Sequence, residues 1–278
     1  MKPRTRQGYH HRIAKVIETI LADPGGEHTV ESLASIACMS AFHFHRIYRA
    51  MTGESIAETV RRVRLAQAAR ALGESGQAVT SIALDAGYDS PQAFSRAFRQ
   101  FAGVSPVMFQ ERHHALTRAK EASLSSQVRI TDVPASRALA LRHEGPVETI
   151  GHTWRRLGAM LRDAVPLERM LGRVGMSIGD PEGGDSFVYH ACVLTGPSEP
   201  PVAGLEPMAI AGGCYASYRL VGSYGLIAAT YRAMFGGWLP RSNHEFDDRP
   251  ALAFYRSPWV HGDRADCVTD VMIPIKEF

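Results

Sequence analysis

The stretch Ser90-Pro91-Gln92-Ala93-Phe94-Ser95-Arg96-Ala97-Phe98-Arg99 decides how this chain folds. It follows a turn, Ala86-Gly87-Tyr88-Asp89, and precedes Gly103-Val104-Ser105-Pro106. A serine before a helix accepts a free first-turn amide, and proline suits the first helical position. Ser90 and Pro91 therefore mark a helix start. Phe94, Ala97, Phe98 and Phe101 recur at i, i+3, i+4, i+7 and make one apolar face. Gln92, Ser95, Arg96 and Arg99 make the opposite face. A short helix that buries phenylalanines and shows Gln, Ser and Arg is shaped to read base edges.

The same helix occurs twice. Moving back fifty residues pairs Ser40 with Ser90, Phe44 with Phe94, Arg46 with Arg96, Tyr48 with Phe98, Arg49 with Arg99, Gly53 with Gly103 and Ser55 with Ser105. Matches at one offset, all at structurally meaningful positions, are an internal repeat. Upstream of each copy lies a shorter helical pattern. Val30, Leu33, Ala34 and Ala37 precede the first, and Val79, Ile82, Ala83 and Ala86 precede the second, at offset 49. The turns are Cys38-Met39-Ser40 and a longer one using Gly87, which tolerates a positive φ angle. Helix, tight turn and Arg-bearing helix are the parts of a helix-turn-helix. Residues 8–22 read as a leading helix with Ile13, Val16, Ile17, Ile20 and Leu21 inward. Ile56 to Leu72 reads as a rigid helical spacer between the units.

Each position then takes a role. Phe42, His45 and Arg46 in the first unit, and Gln92, Ser95 and Arg96 in the second, are the expected base contacts. Arginine can pair with guanine, Gln with adenine, and Phe can touch a thymine methyl. Arg49, Arg61, Arg62 and Arg99 are the expected phosphate contacts, which position without specifying. Two such helices should enter major-groove segments about 34 Å apart. His43 and His45 stand at i, i+2 and point to different sides, so they are poor metal partners. The pattern Ile82-Ala83, Ala86-Gly87-Tyr88, Ser90, Phe94 to Arg99 and Gly103-Val104-Ser105-Pro106 resembles the AraC/XylS-family DNA-binding domain over residues 8–115. That resemblance implies the same base-reading positions. Gln110 departs from the arginine usual near this point and costs one phosphate contact.

The chain has 278 residues and a net charge of +3. Residues 1–125 hold 16 Lys+Arg against 11 Asp+Glu, and residues 126–278 hold 15 against 17. A basic front and a mildly acidic back fit a nucleic-acid module joined to something else. The four cysteines are scattered without a C-x-x-C, which argues against zinc and against a disulfide framework. The basic N-terminus has no apolar stretch behind it, and no run approaches a membrane span, so a cytoplasmic protein is expected.

Leu116 to Ser126 is polar and small, and reads as a linker. Beyond it the period changes to two. Strands are expected at 128–130, 138–142, 187–195, 215–220, 251–255 and 268–275, with a helix over Val147 to Leu161. A second repeat runs at offset 77. It pairs Arg142 with Arg219, Gly145 with Gly222, Ile150 with Ile227, Thr153 with Thr230, Trp154 with Tyr231 and Arg155 with Arg232. The expected fold is an all-α double helix-turn-helix domain followed by an α+β domain. The latter has two pseudo-symmetric lobes, an antiparallel sheet and a groove between the lobes.

His143-Glu144-Gly145-Pro146, Gly175 to Pro181, Gly236-Gly237-Trp238-Leu239-Pro240, Phe254-Tyr255 and Ile273-Pro274-Ile275 resemble the GyrI-like effector-binding domain over residues 127–278. The resemblance implies a cleft for small molecules, flanked by aromatics. Phe187, Tyr189, Trp238, Phe254, Tyr255 and Trp259 are the candidate lining residues. Relatives that bind cations carry a glutamate two residues before the tyrosine, where this chain has Ala253. A neutral, apolar or aromatic effector is therefore expected, or a charge supplied from elsewhere, with Glu144 and Glu168 as candidates. The combined reading is a transcription regulator with double-stranded DNA, a small effector and RNA polymerase as partners, and no metal or cofactor. A hydrolase of reactive small molecules and a ligand-independent DNA binder are the alternatives. Ala253 removes the general base that a hydrolase would need.

Overall fold

The computed structural model describes residues 3–118, 126–144, 147–162, 164–179, 187–259 and 266–277. Most of the expected linker, together with Gly145-Pro146 and Asp180-Pro181, lies outside the described residues. By packing, the chain forms two compact units. One is Met1–Ala97 with Gly145–Arg156, and the other is Phe98–Glu144 with Leu157–Phe278.

The front of the chain is helical: α1 (Pro3–Ala22), α2 (Val30–Ile36), α3 (Ala41–Thr52), α4 (Ile56–Glu74), α5 (Val79–Asp85), α6 (Pro91–Ala102) and α7 (Pro106–Arg118). The fifty-residue repeat is largely a repeat of helix ends. Ser40 accepts the His43 amide at 3.4 Å, and Ser90 accepts the Ala93 amide at 3.2 Å. Gly53 and Gly103 follow α3 and α6 with φ of 78° and 72°, and their amides close on Arg49 and Arg99. Such left-handed caps satisfy carbonyls that the helix leaves open. Ser55 and Glu58 then form a reciprocal capping box that starts α4.

The first core gathers Val16, Ile20, Leu33, Phe44, Tyr48, Ile56 and Val63, all almost fully buried. Each large side chain withdrawn from water contributes roughly 1.5–3 kcal/mol. Ala34 and Ala37 are small enough to let α2 approach α3. The two helix-turn-helix turns use the same hydrogen bonds at offset 49. Cys38 and Met39 donate to Ser35 and Ala34, and Gly87 and Tyr88 donate to Leu84 and Ala83. Gly87 meets this geometry at φ 74°, but Cys38 meets it at φ 52° with a side chain present.

The back of the chain builds one eight-stranded sheet in the order β1-β6-β8-β7-β3-β4-β2-β5. The strands are β1 (Val128–Val133), β2 (Ser136–Arg142), β3 (Gly172–Ile178), β4 (Val188–Thr195), β5 (Glu206–Ile210), β6 (Gly213–Val221), β7 (Ala251–Tyr255) and β8 (Val268–Pro274). Every neighbouring pair is antiparallel. Helix α8 (Ile150–Leu161) connects β2 to β3, and α9 (Ile227–Arg232) connects β6 towards β7. The two halves mirror one another, but their first strands are exchanged. β1 pairs with β6 of the second half, and β5 pairs with β2 of the first. The halves meet where β3 pairs with β7, and Gly175 stands opposite Ala253.

β3 and β5 were not among the strands expected from the sequence. β3 carries Gly172 and Gly175, which blank its alternation, and β5 contains Pro207, tolerated because β5 is an edge. Arg249 fastens the sheet end. Its guanidinium donates to the carbonyls of Gly212, Cys214 and Ile275 at 2.7, 3.0 and 2.9 Å and pairs with Asp247 at 2.8 Å.

Cys38 offers a direct check on the turn. A left-handed conformation costs a residue with a side chain about 1–2 kcal/mol, which glycine avoids at some entropic cost. Cys38→Gly should raise stability by about 0.5–1 kcal/mol, read from urea unfolding midpoints at unchanged slope. A lower midpoint would mean that the Cys38 side chain contributes more than its backbone strain removes.

Candidate DNA-reading surface and ligand cleft

Recognition helices need a buried face that fixes them and an exposed face that reads. In α3, Phe44 and Tyr48 are fully buried, while Phe42, His45, Arg46 and Arg49 are exposed. Phe42 is 75% exposed, and the Arg46 guanidinium lies 5.7 Å from its ring centroid. A large apolar ring left in water beside an arginine is an available surface rather than core. In α6, Phe94 and Phe98 are buried; Gln92, Arg96 and Arg99 are exposed and Ser95 is half-buried. Tyr88 packs edge-on to Phe94 at 5.5 Å and ties the turn to the helix. Arg61 is exposed on α4.

Arg62 is a correction. Expected at a phosphate, it is turned inward and pairs with Glu54 at 3.3 Å, with its side chain only 14% exposed. Consecutive helical residues point about 100° apart, and adjacent Arg61 and Arg62 fall on different sides of the buried boundary.

Glu54 is 3% exposed and gathers a polar cluster within the first unit. Tyr48 donates to Thr59 at 2.7 Å, and Thr59 donates to Glu54 at 2.6 Å. His152 and Arg155, on α8, also contact the Glu54 carboxylate. Burial alone would raise the Glu54 carboxyl. The His152 hydrogen bond and the charges of Arg62 and Arg155 outweigh it and hold the carboxyl well below the usual range. Burial pushes His152 down to about 4, against the opposing pull of Glu54. His152 is therefore neutral near pH 7.

The candidate ligand residues divide by strand alternation. Tyr189 and Tyr255 share one sheet face, and their hydroxyls lie 3.2 Å apart. Phe187 stacks on Tyr189 at 6.5 Å. Trp259 lies against Gly158 of α8, where an added Cβ would stand 2.9 Å from the indole. Phe254 is a correction. It follows Ala253 and precedes Tyr255 in β7, so it must face the other way, and it packs with Val174, Met176, Leu252 and Met272. Trp238 is also set apart, 7% exposed and stacked on His244 at 5.8 Å.

Other residues complete the cluster. Arg173 lies 5.6 Å from the Tyr255 ring and 5.3 Å from Trp259. Tyr224 meets Tyr255 edge-on at 5.1 Å. Burial raises the Tyr224 hydroxyl, and its Cys267 contact adds to this, so it stays protonated. Ala253 is buried at the centre, opposite Gly175. The sequence signal for Tyr224 was absent; Arg173 was visible only as one residue of an unassigned strand.

Residues 126–276 match the GyrI-like small molecule binding domain. The chain belongs to that family. Residues 33–112 match a helix-turn-helix domain, as the AraC/XylS resemblance implied. The chain is 37% identical over 103 residues to the RCS-specific HTH-type transcriptional activator RclR of Escherichia coli (strain K12), covering 37% of this chain and 36% of that one. It is 29% identical over 82 residues to the HTH-type transcriptional activator AarP of Providencia stuartii, covering 30% and 61%. Among solved structures, the DNA-binding domain of AdpA in complex with a target DNA is 30% identical. It covers 39% of this chain and 96% of that one, at a TM-score of 0.36. The chain spans about a third of the length of the first curated relatives it matches. No described helix is long and apolar enough to cross a membrane.

The Glu54 cluster carries a pH signature. Glu54 has a depressed folded pKa, so its contribution is present above the unfolded value and is lost as pH falls. His152, depressed to about 4, also favours the folded state only while neutral, and that contribution is lost between about 6.5 and 4. Thermal stability of the wild type should therefore fall by on the order of 1–3 kcal/mol across that window. His152→Gln, which cannot charge, should flatten the decline. An unchanged pH profile in His152→Gln would exclude His152 as its source.

Proposed function

We propose that this chain is a sequence-specific DNA-binding transcription regulator whose GyrI-like part binds a small effector. The observation that carries the reading is the paired exposure pattern of α3 and α6. Each helix is held by two buried aromatic residues and presents polar and cationic side chains at equivalent positions. Phe42, His45 and Arg46, with Gln92, Ser95 and Arg96, read bases. Arg49, Arg61 and Arg99 hold phosphates.

Phe187, Tyr189, Tyr255 and Trp259 form the effector cleft, together with Arg173 and Tyr224. The cleft serves binding rather than turnover, because Ala253 at its centre offers no general base. The effector changes the population competent for DNA or for RNA polymerase, and its coupling is set by differential affinity for the two states. Work on DNA with polymerase places the protein in the cytoplasm. The naming of RclR and AarP as transcriptional activators supports the regulatory role.

Genomic footprinting identifies the bound sites, and fluorescence anisotropy then compares a bound site with a scrambled duplex. Arg96→Ala should reduce discrimination between them by about 1–3 kcal/mol, while leaving non-specific binding in place. Arg99→Ala should weaken both about equally and lower the salt slope by about one. Discrimination that survives Arg96→Ala would remove α6 from the reading surface.

A further inference from the structure

We propose that the cleft takes an anionic aromatic ligand, a planar ring bearing a carboxylate, with Arg173 as its counter-charge. This rests on the reading of the cleft as the effector site and deepens it.

The cluster already contains a cation. Arg173, Gly175 and Ser177 alternate along β3 and share the face that carries Tyr189, Ala253 and Tyr255. The Arg173 guanidinium lies over Tyr255 and Trp259, and Nη2 donates to the Ser257 carbonyl at 2.5 Å. The guanidinium also hydrogen-bonds the Tyr224 hydroxyl. These neighbours hold its position without cancelling its charge. Elsewhere arginines meet carboxylates: Arg62 and Arg155 at Glu54, Arg219 and Arg256 at Asp270, and Arg249 at Asp247. Among the described residues, no carboxylate pairs with Arg173.

A second cation brought to this cluster would meet like charge at a half-buried site. An anion would supply the missing half of an ion pair. A guanidinium has five N–H donors in a fork that matches a carboxylate. The Ser257 carbonyl and Tyr224 use only part of that set. Tyr189 and Tyr255 add hydroxyl groups, and the rings of Tyr224, Tyr255 and Trp259 offer faces and edges to an aromatic ligand. Small Gly175 and buried Ala253 place no charge at the centre of the sheet face.

The test titrates the full-length protein with benzoate, cinnamate and 2-naphthoate, each beside its matched ammonium and its matched neutral amide. Isothermal calorimetry and tryptophan fluorescence report binding. At least one carboxylate should bind ten-fold or more tighter than its ammonium partner. Arg173→Gln should lose that ten-fold preference while keeping amide affinity within about three-fold. Arg173→Lys should retain the preference, and Arg173→Glu should reverse it. Circular dichroism melts verify that each variant is folded. An ammonium that binds as tightly as its carboxylate overturns the charge assignment and leaves the cleft as a ligand site. A carboxylate preference unchanged in Arg173→Gln overturns the role of Arg173. Failure of every ring compound to bind at millimolar concentration overturns the cleft reading itself, and the proposal with it.

Discussion

The buried carboxylate of Glu54 is the constraint around which the first compact unit is arranged. A lone charge at 3% exposure would be prohibitively costly, so neighbouring elements must supply partners. Tyr48 reaches it through Thr59, which ties the end of α3 to α4. Arg62 turns away from solvent to meet it, and His152 and Arg155 approach from α8. The loop Gly53-Glu54-Ser55 is therefore fixed at both levels. Its backbone is held by the left-handed Gly53 and the Ser55 capping box, and its side chain by the cluster. The exposed stripe on α3 inherits its orientation from these contacts. Such a cluster is weak evidence of net stability but strong evidence of a specified arrangement, because removing Glu54 would strip Arg62 and Arg155 of the carboxylate they share.

The sheet obeys a different constraint, its internal two-fold. Exchange of the first strands makes neither half a closed unit, since β1 finds its partner in β6 and β5 finds its partner in β2. The halves then meet at Gly175 and Ala253, which oppose one another across β3 and β7. Residues at such a centre approach their own symmetry equivalents, so bulk there is counted twice. A Cβ on Gly175 would stand 2.5 Å from the Tyr189 hydroxyl. The small pair explains how Tyr189 and Tyr255 can bring their hydroxyls together above the strand crossing. Ala253 lies buried at this centre and carries no carboxylate.

Local patterns were legible wherever the physics is local. Helix ends at Ser40, Ser55 and Ser90 are decided by residues a few positions apart, and so is the left-handed turn at Gly87. Helical periodicity likewise sorted Phe44 and Tyr48 from Arg46 and Arg49. The offset of 77 exposed the duplicated lobes, but not the strand exchange, which depends on pairing between distant segments. Phe254 and Tyr255 show a different failure. Adjacent aromatics in a strand cannot line one pocket, yet their shared chemistry suggested that they would. β3 stayed hidden because glycine contributes nothing to a face pattern.

Arginine shows why the rest could not be read. Arg46, Arg61, Arg96 and Arg99 remain exposed; Arg62 is claimed by Glu54, Arg249 by three carbonyls, and Arg173 by two aromatic rings. The side chain is the same in each case, and its intrinsic charge does not vary. What differs is the partner, and the decisive partners lie far along the chain. Ser257 is 84 residues from Arg173, and Ile275 is 26 from Arg249. Arg61 and Arg62 are neighbours in sequence, so no composition or charge count separates them. The fold separates them by burying one beside a carboxylate. At Arg173 the fold does the opposite: it buries the side chain partly and supplies aromatic faces and a carbonyl, and no carboxylate among the described residues pairs with it. A half-buried cation held in that way retains an electrostatic demand that an anion arriving from solution can meet.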